Sequence, residues 1–241
     1  GAFTFIAGDN FPRVGYLAQA GGAVIYFTYA ALDAANSYDP GVPLGPAMPV
    51  SGARKVTGLS DIDQLYLAGR GGQLWRFDPD VIGMGGDPIA LAPVLGDSIV
   101  DTPGLVDLTA DLIPELAVRS LRGDTLSITV IDGAAGSPLI GFPRKYLNSA
   151  PGGAILAADL GDGATPELVF NQGGDKVTCI TSNGTPQWTL TGLPAKAGPA
   201  LGDLDGDGAL DLAVATTDGK IYAYTLGNGG IGPRGVEWPN S

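Results

Sequence analysis

The chain has 241 residues, with 25 Asp and Glu against 13 Lys and Arg and a formal net charge of −12, so nucleic acid and anionic membranes are repelled as partners rather than attracted. It contains no histidine and one cysteine, which removes Ser-His-Asp and Cys-His catalysis, the commonest zinc ligand and any intrachain disulfide. Apolar residues make up 44%, charged ones 16%, and there are 39 glycines and 19 prolines: enough to bury one core, no apolar run long enough to span a membrane, and a turn density that suits many short strands.

The chain opens on Gly1 without a charged-then-apolar leader, the expected start of a processed chain or of part of a larger protein. Self-similarity organises the sequence beyond that point. Tyr16 to Phe27 (YLAQAGGAVIYF) aligns without a gap with Tyr66 to Phe77 (YLAGRGGQLWRF), fifty residues later. The same strand, glycine turn, strand pattern returns at Glu115 to Asp132 (ELAVRSLRGDTLSITVID), Glu167 to Thr181 (ELVFNQGGDKVTCIT) and Leu210 to Thr225 (LDLAVATTDGKIYAYT). In the last copy Lys220, Tyr222 and Tyr224 alternate with Ile221, Ala223 and Thr225, the period of two that a sheet with two differing faces requires.

A short strand of small residues is predicted before each hairpin, at Ala2 to Asp9, Gly52 to Leu59, Thr102 to Leu108, Gly152 to Leu160 and Gly198 to Leu204. Turns into a fourth strand are predicted after the later hairpins, at Asp132 to Pro143, Ser182 to Trp188 and Gly232 to Pro239. Asp33 to Val50, rich in proline and small residues, reads as a long surface connection. The repeats fall at 1–50, 51–97, 98–149, 150–195 and 196–241. A mean of about 48 residues fits four-stranded blades, so the expectation is an all-β chain forming one domain, a β-propeller of about five four-stranded blades.

The densest chemistry lies in the last repeat, in the twelve residues DLDGDGALDLAV from Asp203 to Val214. Asp203, Asp205 and Asp207 occupy loop positions one, three and five, Gly208 position six, the Ala209 carbonyl position seven and Asp211 position nine, which are the first nine positions of a calcium loop. Calcium takes six to eight oxygens, and Gly208 permits the turn that folds alternate carboxylates inward. Without a cation each pair of carboxylates at about 4 Å repels by about 1 kcal/mol even in water. An EF-hand would place a bidentate glutamate at position twelve, but Val214 stands there and a strand is predicted from Leu210 onward.

The other repeats keep less of this loop. Asp107, Thr109, Asp111 and Glu115 hold positions one, three, five and nine in the third repeat, a candidate for a weaker second site. The fourth keeps Asp159 and Glu167 but has Gly161 and Gly163 at positions three and five, with Asp162 between them, and the first two have shorter loops near Asp9 and near Asp61 and Asp63.

A D-x-D-x-D-G-x-x-D loop followed by a strand resembles the FG-GAP and VCBS-type β-propeller repeats, the former familiar from the integrin α-subunit head. The resemblance implies that the loop joins the first two strands of a blade and binds calcium. The stretch YLAGRGGQLWRFD, Tyr66 to Asp78, is similar to the G-x-L-W-[RK]-F-D strand of the propeller domain of type IV pilus tip adhesins. Together these imply a non-catalytic calcium-binding module, extracellular, on the cell surface or periplasmic, that binds a protein or glycan on a surface or filament. Asp33 to Val50 and the turns near Asp132 and Gly227 are the expected contact loops.

The alternative is a secreted propeller enzyme, either acting on carbohydrate or a fragment of a quinoprotein-like dehydrogenase. The vicinal cysteines often found at quinoprotein sites are impossible here, and no carboxylate pair singles itself out for glycoside chemistry. Trp75, Trp188, Trp238, Tyr26, Tyr222 and Tyr224 read as packing between blades rather than as a stacking surface. Cys179 reads as a small buried hydrophobe, and Asn183-Gly184-Thr185, formally a glycosylation acceptor, as a hairpin turn.

Overall fold

The computed structural model describes residues 15–18, 24–27, 37–38, 50–54, 62–68, 72–77, 89–91, 98–99, 101, 103–111, 113–147, 152–160, 165–195, 197–227 and 230–233. Among them every regular element is a β-strand, and all pairings are antiparallel. The first sheet is β1 (Gly15–Ala18), β2 (Val24–Phe27) and β3 (Ser37–Tyr38), in that order. The second is β4 (Val50–Arg54), β5 (Ile62–Ala68), β6 (Leu74–Phe77) and β7 (Ile89–Ala90).

The third contains β8 (Ser98–Ile99), β9 (Gly104–Val106), β10 (Glu115–Arg122), β11 (Thr125–Ile131) and β12 (Arg144–Tyr146). Both β8 and β9 pair with β10, Ile99 opposite Ser120 and Val106 opposite Glu115, so they are two pieces of one strand position. The fourth is β13 (Leu156–Ala158), β14 (Glu167–Asn171), β15 (Lys176–Ile180) and β16 (Pro186–Thr191). The fifth is β17 (Ala200–Gly202), β18 (Leu210–Ala215), β19 (Ile221–Gly227) and β20 (Gly230–Pro233).

The five aligned hairpins are β1–β2, β5–β6, β10–β11, β14–β15 and β18–β19. Glycine turns and period-two alternation are local signals, which is why these pairs are readable from sequence. Two expectations need correction. The connection from Asp33 to Val50 contains the short strand β3 and ends in the first residue of β4, and β8 adds to the third sheet a piece outside the strand expected at Thr102 to Leu108. Strands of two residues carry no periodicity, and partner carbonyls and N–H groups define them instead. The strand predicted at Ala2 to Asp9 and most of the turn from Gly232 to Pro239 lie outside the described residues.

The core sits between consecutive sheets. Leu74 and Leu91 of the second repeat pack with Ile99, Leu116, Val118 and Ile131 of the third. The opposite face of the third sheet, with Ala117, Leu126, Ile128 and Val130, packs on Ile155, Leu168, Phe170 and Ile180 of the fourth. Val169, Val177 and Cys179 then pack on Leu212, Val214 and Leu226 of the fifth. Strands β10 and β14 are therefore buried on both faces, and the alternation separates residues facing the previous sheet from those facing the next. Each large apolar side chain taken fully from water contributes about 1.5–3 kcal/mol.

Polar groups bind neighbouring sheets as well. Arg119 of β10 is 1% exposed; its Nη1 donates to the Gly152 and Gly153 carbonyls at 2.7 and 3.1 Å, and its Nε lies 3.5 Å from Asp101 Oδ2. The Gly153 N–H donates to Asp101, and burial still holds that carboxyl above the usual aspartate range, with Arg119 opposing. One sheet further on, Asn171 Nδ2 donates to the Ala195 and Ala197 carbonyls at 3.1 and 3.4 Å. Arg76 Nη1 reaches the Gly133 carbonyl at 2.7 Å, and Arg144 Nε donates to the Gly184 carbonyl. The segments so gripped approach closely: a Cβ built on Gly153, whose φ is +81°, would stand 1.8 Å from the backbone nitrogen of Gly198.

Two substitutions test these contacts by thermal or urea unfolding. Gly153→Ala forces a left-handed residue against backbone and is expected to cost more than about 2 kcal/mol. Arg119→Ala leaves the Gly152 and Gly153 carbonyls without their donor and the half-buried Asp101 without its neighbouring positive charge, and is expected to cost about 1.5–3 kcal/mol. A midpoint unchanged in either variant would show that the sheets are not held together there.

Candidate metal centre

Each of the last three repeats has an acid at the first or second position of its second strand: Glu115 opposite Val106, Glu167 opposite Ala158 and Asp211 opposite Gly202. All three are buried, at 1%, 3% and 0% exposure, and each accepts the backbone N–H of the residue seven positions earlier. The distances are 2.6 Å from Leu108 N to Glu115 Oε2, 2.9 Å from Leu160 N to Glu167 Oε2 and 2.8 Å from Leu204 N to Asp211 Oδ2. A charge-assisted bond of this kind closes the loop between the first two strands and ties its second residue to the strand that follows.

In the fifth sheet this closure gathers further carboxylates. Asp203 accepts the Gly206 N–H on Oδ1 at 2.7 Å and the Gly208 N–H on Oδ2 at 3.0 Å, which curls the loop around its own first residue. Gly206 and Gly208 adopt φ of +81° and +86°, so the curl uses the conformation that glycine permits. Asp205 Oδ1 accepts the Asp207 N–H at 3.1 Å, and Asp207 Oδ1 accepts the Ala209 N–H at 2.8 Å. One carboxylate oxygen from each of Asp203, Asp205 and Asp211 lies within 4.8 Å of the others. Two oxygens bound to one calcium at about 2.3–2.6 Å can be no more than about 5 Å apart, so these three fit such an ion, with the buried Asp211 at the base and the exposed pair at the rim.

The four predicted aspartates are thus not gathered equally. Asp203, Asp205 and Asp211 converge; Asp207 stays at the exposed rim, where it accepts the N–H of Ala209. In the third repeat Asp107, Thr109, Asp111 and Glu115 are bound up with one another and with the loop. Glu115 Oε1 accepts the Thr109 hydroxyl at 3.3 Å, Asp107 Oδ1 the Asp111 N–H at 3.2 Å and Asp111 Oδ1 the Ile113 N–H at 2.8 Å. Among the described residues they form no second convergent group. Asp9, Asp61, Gly161, Asp162 and Gly163 lie outside the described residues.

The other singled-out residues serve packing and turns. Trp75 is buried, while Trp188, Tyr222 and Tyr224 pack against the core between the fourth and fifth sheets. Trp238 lies outside the described residues, as does the side chain of Tyr26. Cys179 is buried in that same core, its thiol 3.1 Å from Gln187 Oε1. Asn183 and Gly184 form the β15–β16 turn, with Gly184 N donating to the Thr181 carbonyl at 2.8 Å and Thr185 N to Asn183 Oδ1 at 3.1 Å. Loop spacing alone does not reveal the anchoring role of the acid at position nine. The signal for it is Glu167, an acid retained where positions three and five are glycine.

No protein-family model matches the chain, and no curated protein matches it. Solved structures do. The BBS1N chain from a complex with ARL6DN is 16% identical with a TM-score of 0.51, the match covering 83% of this chain and 57% of that one. A chain of the complex between fission yeast SREBP and SCAP binding domains is 14% identical with a TM-score of 0.54, covering 94% of this chain and 61% of that one. The chain therefore spans about three fifths of the length of these structures. Both are β-propeller-type domains, and at such identities the likeness speaks for fold: an all-β, propeller-like arrangement of antiparallel sheets.

Two substitutions probe the anchoring acids. Glu167→Ala leaves the Leu160 N–H without its acceptor and should destabilise the chain by about 1–3 kcal/mol whether or not calcium is present. Burial, followed by the charges of Asp111 and Asp107, raises Glu115 above the ordinary glutamate value of 4.5. An acid raised in the folded state favours folding at low pH, and that contribution is lost as pH rises through its folded pKa. Glu115→Gln cannot ionise, so in chelator its melting temperature should gain on that of the unsubstituted chain between pH 4 and pH 7. A constant difference across that range would refute the assignment.

Proposed function

We propose that the chain is a non-catalytic, calcium-binding β-propeller module of five four-stranded blades, of the FG-GAP and VCBS kind. It works outside the cytoplasm, on a cell surface, in the periplasm or on a filament, and presents its loops to a protein or glycan. The observation that carries this reading is the convergence of Asp203, Asp205 and Asp211 within 4.8 Å on a loop already closed by Asp211. Calcium would supply charge compensation and rigidity there. The protein's own contribution is to fix the loop so that binding costs little ordering entropy.

Other facts point the same way. The two structural neighbours were each solved in complexes with protein partners, which supports a protein as ligand. The chain has no histidine, and among the described residues the aromatic side chains of Phe170, Trp188, Tyr222 and Tyr224 are engaged in packing between sheets. A loop with three convergent carboxylates and an exposed rim suits the millimolar calcium found outside cells better than cytosolic levels.

Melting in calcium and in chelator checks the metal. Linkage predicts a gain of about 2.7 kcal/mol at a hundredfold excess over Kd. Asp205→Ala should abolish the gain with little effect on the metal-free chain, whereas Asp207→Ala should retain most of it. Asp211→Asn should keep the Leu204 hydrogen bond and yet weaken calcium binding. Identical melting in calcium and chelator would reject the site. Calcium-dependent capture of a surface protein or glycan without turnover would support the module, and turnover abolished by a single carboxylate substitution would overturn it.

A further inference from the structure

The turn between β15 and β16 carries a chemistry that neither the core nor the calcium loop uses. It holds the pair Asn183-Gly184, with Asn183 exposed to water and Gly184 buried. In an open chain a residue that follows asparagine and lacks a Cβ leaves its backbone nitrogen accessible to the asparagine side chain. The Gly184 nitrogen then forms a bond to Asn183 Cγ, the Cγ–Nδ2 bond breaks, and ammonia leaves with the proton of the Gly184 N–H. Water opens the resulting cyclic imide at either carbonyl. One product is aspartate with the backbone restored; the other is isoaspartate, in which the backbone runs through the side-chain carbon. Solvent water is the co-reactant, and an amide is exchanged for a carboxylic acid and ammonia without oxidation or reduction.

In the folded turn the atoms of that reaction are engaged elsewhere. The Gly184 N–H donates to the Thr181 carbonyl at 2.8 Å, and Asn183 Oδ1 accepts the Thr181 hydroxyl at 2.6 Å and the Thr185 N–H at 3.1 Å. The third repeat also lies over this turn. Arg144 Nε donates to the Gly184 carbonyl, and a Cβ built on Gly141 would stand 2.0 Å from the Asn183 carbonyl oxygen. Both residues of the pair are thus gripped through their carbonyls by a segment of the preceding sheet. Bringing Asn183 Cγ onto the Gly184 nitrogen requires the turn to open, so the rate in the folded chain is that of an open turn scaled by the fraction of time it is open.

We propose that Asn183 is a site of spontaneous deamidation whose rate is set by the contact between the third and fourth repeats: slow while Gly141 and Arg144 cover the turn, fast once they lift from it. The product acts back on the same contact. Isoaspartate lengthens the main chain by one carbon between Asn183 and Gly184, whose two carbonyls are the groups that Gly141 and Arg144 meet. The loss of ammonia is irreversible in water, so openings of this junction accumulate as product and leave the two repeats less well joined.

Peptide mapping by mass spectrometry follows the reaction in the whole chain held at mildly alkaline pH, with aspartate and isoaspartate peptides separated by elution. Asn183 is expected to convert at least about tenfold more slowly in the folded chain than in the chain unfolded in guanidinium chloride. Arg144→Ala removes the grip on the Gly184 carbonyl, and Gly141→Ala lifts the contact by forcing a Cβ against the Asn183 carbonyl; each should speed conversion several-fold. Cooperative melting shows which variants are folded, and the comparison of folded with unfolded chain needs no variant at all. Lys145→Ala, which removes the neighbouring exposed cation, should leave the rate unchanged. Equal rates in the folded and unfolded chain would overturn the proposal, as would an acceleration missing from the folded variants at Gly141 and Arg144 or shared equally by Lys145→Ala.

Discussion

The structure depends on a buried carboxylate at the start of the second strand in repeats three to five. Glu115, Glu167 and Asp211 are almost wholly out of water, and a carboxylate there costs several kcal/mol unless donors meet it. The backbone N–H seven residues earlier meets that need, at 2.6–2.9 Å in all three. Since that N–H belongs to the second residue after the first strand, one bond fixes the width of the loop and the offset between the first two strands. The neighbouring sheet can then close over the strand start because the carboxylate beneath it already holds a donor.

On that frame the sheets are joined by two kinds of contact. Apolar clusters supply most of the free energy, and their buried-on-both-faces strands explain why charged residues are so sparse in this chain. Side-chain donors aimed at backbone carbonyls add direction: Arg119 to Gly152 and Gly153, Asn171 to Ala195 and Ala197. Packing alone tolerates sliding, whereas a guanidinium held between two carbonyls and Asp101 permits one register. Gly153 completes the arrangement by letting its backbone approach Gly198 more closely than a Cβ on Gly153 would allow.

Legibility in the sequence tracks the range of each interaction. The hairpins are legible because alternation and turn glycines act over a few residues, as in Ile221 to Thr225 after Gly219. The Asp203 loop is legible for the same reason. Arg119 is not: its partners lie 33 and 34 residues away, and nothing in the run ELAVRSLR distinguishes a buried arginine from a solvated one. Nor are β3 and β8, whose two residues each become strands only through their partners. Spacing treats Asp203, Asp205 and Asp207 alike, and each accepts an N–H of the loop, since short acidic side chains bond readily to nearby backbone; that oxygens of Asp203 and Asp205 come within 4.8 Å of Asp211 is a matter of the folded loop.

The contrast between Asp211 and Glu167 bears on how a metal loop of this kind can come and go among repeats. Glu167 performs its anchoring in a loop with glycine at positions three and five, so the anchor requires no ion. Glu115 performs it in a loop where the Thr109 hydroxyl donates to Glu115 itself and Asp107 and Asp111 accept backbone N–H groups of the loop. Asp211 differs in having Asp203 and Asp205 oxygens brought to within 4.8 Å of its own. A shorter side chain at that position draws the loop nearer to the strand than a glutamate would, and a carboxylate already held by Leu204 enters a coordination shell with little further ordering. An ion in such a loop would be added to a closure the backbone has already made, so repeats can lose their exposed aspartates without losing their shape.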